Sequence, residues 1–126
     1  MSPRFWFMAG ALLAGIAVAA GAFGAHGLRS RLAPADLVTF ETAVRYQMYH
    51  ALALLAVAGL LARGAALAGA AGWSFLAGIA LFSGSLYLLT LAGQRWMGAV
   101  TPLGGLAFLV GWVLLAVSDG HAFRTT

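Results

Sequence analysis

Seven side chains in this sequence carry hydrogen-bonding or ligating groups inside or beside otherwise apolar stretches: His26, Gln47, His50, Ser83, Ser85, Tyr87 and Thr101. Burying such groups in lipid is costly unless each finds a partner, so each is a candidate for ligand binding or for bonding between helices. Tyr46 and His50 are four apart, as are Ser83 and Tyr87, so each pair shares a helix face; Gln47 and His50 are three apart. His26 and His50 could ligate a metal or haem, but no buried carboxylate accompanies them and the chain has no cysteine. A serine beside a histidine could serve a hydrolase. The acid that would orient the imidazole is missing, since Glu41 falls near the interface, and no nucleophile motif surrounds either serine. A histidine titrating near neutral pH could couple protons to transport, though four helices are few for a transporter unless it dimerises. The residues therefore lean against catalysis, and no metal or cofactor follows from them.

The elements that must position these residues follow from composition. Of 126 residues, 63% are hydrophobic and only 8% charged, against about 25% charged in an ordinary soluble domain. That balance excludes both a soluble globular protein and a disordered one, and leaves an integral membrane protein. A helical crossing takes roughly 20 apolar residues, and four stretches qualify, at about 5–25, 36–62, 69–92 and 99–118. Their continuous Ala/Leu/Gly runs do not alternate with period two, which excludes a β-barrel. The fold expected is an all-α integral membrane protein, a single domain over 1–126. Its four transmembrane helices form an up-and-down bundle, with an amphipathic segment before or at the start of helix 2.

That segment begins at Pro34, where Leu37, Phe40, Val44, Met48 and Ala51 fall on one helical stripe. Glu41 and Arg45, four apart, can pair on another face with Tyr49 beside them. All basic charge is arginine, spread over every polar segment, which argues against nucleic-acid binding. The arginines are nearly balanced between the two sides, so no orientation is assigned. The start of the chain resembles a signal peptide, but its apolar run continues to Ala25, longer than a usual h-region, and retention as a true helix is expected. Small residues spaced four apart, such as Ala11 and Gly15, or Ala107 and Gly111, predict a tightly packed bundle.

Up-and-down threading places all seven polar candidates in one leaflet. The opposite half, with Leu12, Leu60, Phe75, Leu76 and Leu114, holds little besides Ser74 before Ser118, Asp119 and His121 at its exit. Glycines beside His26 and between the serines, and Pro102 after Thr101, suggest a small cavity open to one interface.

Four motifs in order extend this reading. They are Gly21-Ala22-Phe23-Gly24-Ala25-His26-Gly27-Leu28; Phe40-Glu41-Thr42-Ala43 running into Tyr46-Gln47 and His50-Ala51-Leu52-Ala53-Leu54; Phe82-Ser83-Gly84-Ser85-Leu86-Tyr87; and Thr101-Pro102-Leu103-Gly104-Gly105 with Gly111-Trp112. Together they resemble the domain-of-unknown-function 423 family, the small bacterial YgdD-like inner-membrane proteins and eukaryotic transmembrane protein 256. The resemblance implies a multi-pass inner-membrane protein with an uncleaved first helix, and implies no activity. The function expected is small-ligand binding, or a transport-related or accessory role, at the polar cavity. The alternative is a purely structural or assembly protein whose polar residues bond helices together, and the third reading is a histidine-based metal or haem protein. The expected partners are the lipid bilayer and an unidentified small ligand or lipid, with homo-oligomerisation open and no nucleic acid.

Overall fold

The computed structural model describes residues 1–118 and 123; Asp119, His121 and Arg124 lie outside the described residues. Four helices are long and apolar enough to cross a membrane, and among the described residues there is no strand. They are α1 (Pro3–His26), α2 (Pro34–Ala62), α3 (Leu67–Leu91) and α4, whose regular part is Thr101–Ala116 after a 3-10 turn at Arg95–Ala99. The expected stretch at 99–118 is thus helical over a shorter core, because the chain turns tightly before Pro102 enters the first turn of α4.

Each start has a local cause. Ser2 accepts a hydrogen bond from the Phe5 amide at 3.2 Å and Pro3 occupies the first turn of α1, while Pro34 does the same for α2. The turn joining α2 to α3 requires a left-handed residue, supplied by Gly64 at φ 87°. At 29 residues, α2 is about 43 Å long, more than the ~30 Å hydrocarbon core of a bilayer. The amphipathic segment is therefore the near end of α2 itself and not a separate surface helix: one unbroken helix runs from Pro34 through the apolar run to Ala62. Its predicted stripe faces the bundle, with Phe40 and Ala51 fully buried.

In space, α1 packs along α2 and α3 packs along α4, with α2 and α3 meeting in the middle. Trp6 of α1 also reaches α3, against Gly72 and Trp73. The core joins Trp6, Leu54, Val57, Phe75, Ile79 and Phe108 with alanines of α2 and α3. The tight packing predicted from small residues is present at one of the expected pairs, where a Cβ on Gly111 would sit 2.6 Å from Phe75 Cε1 of α3. Gly15 faces open space, whereas Gly104 lies so close to α3 that a Cβ there would sit 2.3 Å from the Phe82 amide nitrogen. Large apolar side chains such as Leu12, Ile16, Leu106, Leu109 and Val113 remain exposed around the outside, an apolar perimeter that water would not tolerate and lipid does.

Candidate functional site

The polar residues divide into layers along the bundle. Ser85 Oγ lies 2.6 Å from Thr101 Oγ1, tying α3 to α4 at one end. Next, Gln47 links three helices: its Nε2 donates to the Leu13 carbonyl of α1 at 2.9 Å, and its Oε1 accepts from Tyr87 of α3 at 2.6 Å. Ser83 donates to the Ala43 carbonyl of α2 at 2.7 Å. A wider π turn at Ile79–Ser83 interrupts α3 and ends on Ser83, which faces α2, while Ser85 just beyond it faces α4. Nothing in the sequence marks that turn.

His50 stands apart from this network. Trp112 Nε1–H, which can only donate, lies 3.0 Å from His50 Nε2, so that nitrogen must be the acceptor. The proton therefore resides on Nδ1, which donates to the Tyr46 carbonyl at 2.6 Å. The ring also stacks on Phe108, with centroids 3.5 Å apart and planes 7° from parallel. With its one lone pair committed to Trp112, this imidazole has no free ligating position. Among the described residues no group of three His, Cys, Asp or Glu side chains could hold a metal.

A cavity of about 350 Å³ opens beside this histidine, between α2 and α4. Tyr46, Tyr49 and His50 form one wall, and Gly105, Phe108, Leu109 and Trp112 the other. It arises because the α2 and α4 backbones approach each other far less than neighbouring helices do, and Gly105 contributes no side chain to fill the gap. Neither the Tyr46 nor the Tyr49 hydroxyl has a hydrogen-bond partner among the described residues, although every polar atom of Gln47, Ser83 and Tyr87 that bridges helices does.

Of the seven candidates expected from the sequence, six are bonded within the bundle and one is not. His26 is exposed at the end of α1, away from His50 and without a partner among the described residues, so the two histidines do not form a common site. Of the seven, only His50 lines the cavity. The division into a polar and an apolar leaflet also needs correction. Counting back from Ala62 at about 1.5 Å per residue, His50 lies roughly 18 Å in, near mid-bilayer. There it meets Phe75, a residue of the expected apolar half, at 5.6 Å between ring centroids. Sequence reasoning missed Trp112, which is four residues beyond Phe108 on the same face of α4 and bears an indole N–H that must be satisfied.

Charged residues mark the near end. Asp36 and Arg95 form a two-pronged bridge, both N–O distances 2.8 Å, that fastens the start of α2 to the turn before α4. The expected Glu41–Arg45 pair is present at 4.0 Å and exposed.

A profile of the family described as protein of unknown function (DUF423) matches residues 20–105, the stretch that contains Gln47, Ser83, Ser85, Tyr87 and Thr101 with all their bonding partners except Leu13. The chain belongs to the DUF423 family. Its relatives include the UPF0382 membrane protein YwdK of Bacillus subtilis, 44% identical over 117 residues that cover 91% of this chain and 95% of the relative. A second, the UPF0382 membrane protein SSP2132 of Staphylococcus saprophyticus, is 45% identical over 114 residues, covering 90% and 95%. A third, SAB0533 of Staphylococcus aureus, is 43% identical over 115 residues, covering 91% and 94%. No solved structure matches this DUF423 chain. The resemblance read from the four motifs is therefore a family relationship, and this chain is a DUF423 membrane protein with four apolar helices.

Proposed function

We propose that this protein is a multi-pass protein of the bacterial inner membrane that binds a small membrane-dissolved molecule in the groove between α2 and α4, in an accessory or transport-related role. The observation that carries this reading is the cavity beside His50. Open on its outer side, the gap can take a membrane-dissolved molecule without any movement of the helices. Here a volume of about 350 Å³ is retained next to a histidine whose tautomer and orientation are both fixed. It lies at the small end of the ~300–1,000 Å³ of small-molecule sites.

The other polar candidates support a second reading of their own role. Gln47, Ser83, Ser85, Tyr87 and Thr101 already bond to neighbouring helices, so they serve as the frame that fixes the groove walls and not as ligand contacts. Retention of α1 belongs to the same proposal. Trp6 is wholly buried against α3, and Leu13 supplies the acceptor for Gln47, so removing α1 would uncover the core and orphan an amide.

The test is extraction of the full chain from inner membranes in native lipid, followed by intact and ligand mass spectrometry. Gly105→Leu adds a side chain to the groove wall at a position whose Cβ meets only Phe82 Cδ2, at an ordinary 3.9 Å. A small molecule that accompanies the wild-type chain, with its full-length mass, and is lost from Gly105→Leu is the result expected. Identical molecules in both samples would refute the groove as a binding site.

A further inference from the structure

Binding in the groove between α2 and α4 leaves the class of ligand open, and any assignment of that class rests on the groove being a binding site. The groove walls select by chemistry as well as by volume. No charged side chain lines the cavity, which gives an anionic or cationic head group nothing to pair with. Five of the seven lining residues carry rings, Tyr46, Tyr49, His50, Phe108 and Trp112, and a flat ring stacks on such surfaces better than an alkyl chain does. The nitrogens of His50 and Trp112 are already bonded to each other or to backbone. Among the described residues, the polar capacity left at the groove is the pair of hydroxyls of Tyr46 and Tyr49, both exposed and without a hydrogen-bond partner. Tyr46 and Tyr49 have ring centroids 5.7 Å apart and lie one and four residues beyond Arg45 on α2. Two donors on one wall suit a neutral ring bearing carbonyl oxygens, and the open side of the groove, lined by the exposed Leu109, leaves a hydrophobic tail in the lipid.

We propose that the ligand is a lipid-soluble quinone, its ring lying over the floor that the stacked His50 and Phe108 rings form, with carbonyl oxygen accepting from Tyr46 and Tyr49.

The test uses the full chain in phosphatidylcholine nanodiscs and two probes of matched shape, a decyl-tailed benzoquinone and decylbenzene, which lacks the carbonyls. Binding is read by competition and by ligand-induced thermal stabilisation. The quinone is expected to bind about tenfold or more tighter than decylbenzene, each hydroxyl bond contributing roughly three- to tenfold. The double variant Tyr46→Phe, Tyr49→Phe keeps both rings and should lose that preference, with decylbenzene binding unchanged. Equal binding of the two probes, or a quinone affinity indifferent to the Tyr→Phe changes, would overturn the quinone assignment. If in that case both probes still lose binding in Gly105→Leu, the groove remains a binding site for another class. If neither probe binds the wild-type chain, the quinone assignment fails; the groove reading is then decided separately by extraction of the chain in native lipid.

Discussion

Gln47 ties α2 to both of its main neighbours, so its replacement by leucine is a sharp trial of the polar frame. The substitution keeps the side chain's bulk and removes two bonds, to the Leu13 carbonyl at 2.9 Å and from Tyr87 at 2.6 Å. Hydrogen bonds between membrane helices average ~0.6 kcal/mol and reach ~1.7. Two of them, one quite short, therefore place the loss near 1–3 kcal/mol, with the stranded Tyr87 hydroxyl at the upper end. The Leu13 carbonyl is less affected, because it lies within α1 and keeps its helical partner. Tyr87→Phe alone should cost about 1 kcal/mol, since only one bond is lost. In the double variant the hydroxyl that Gln47→Leu strands is gone, so the double loss should fall short of the summed single losses by about 1 kcal/mol. Reversible unfolding in mixed micelles with increasing dodecyl sulfate measures all three. Strict additivity, or a Gln47→Leu loss within a few tenths of a kcal/mol of zero, would show that these contacts hold nothing together.

Other expectations are simpler to check. Gly104→Ala forces a Cβ to within 2.3 Å of the Phe82 nitrogen and 2.7 Å of its Cα, and should cost ~1–3 kcal/mol by overpacking, read as a lowered Tm in detergent. Gly15→Ala, which meets nothing within 4 Å, should leave the Tm unchanged or raise it slightly, since alanine is the better helix former. His26→Ala should leave Tm unaltered because the side chain is exposed and unbonded, whereas His50→Leu strands the Trp112 N–H and should lower the Tm measurably. Asp36→Asn should detach the turn before α4 from α2, seen as faster hydrogen exchange at residues 95–99. The wild-type protection there should weaken toward 1 M salt, where the screening length falls to ~3 Å.

The number of crossings and their approximate positions could be read directly from the chain, because the bilayer imposes a length and a polarity that any spanning helix must meet. The stripe from Leu37 to Ala51 could be read in the same way, since helical periodicity alone fixes which side chains share a face. So could the identity of most bonding residues: a glutamine or tyrosine inside an apolar run must find a partner, whichever partner that is. What periodicity cannot supply is the partner. Gln47 bonds to residues 34 and 40 positions away, and His50 to one 62 positions away. Such pairings depend on how far each helix is rotated and shifted against the next. The π turn at Ile79–Ser83 shows why. A single wider turn changes the phase of everything after it, so the face presented by Ser85 follows from packing and not from local preference.

The sequence by itself thus determined a four-helix membrane protein with a polar set that has to be satisfied, because lipid solvates no backbone and few side chains. Only the tertiary structure decided which of that set is spent on holding helices together, that His26 stands outside it, and that Trp112 fixes the tautomer of His50. It also decided that the gap lies between α2 and α4, because two close pairings, α1 with α2 and α3 with α4, leave the remaining seam to side chains, and Gly105 does not fill it.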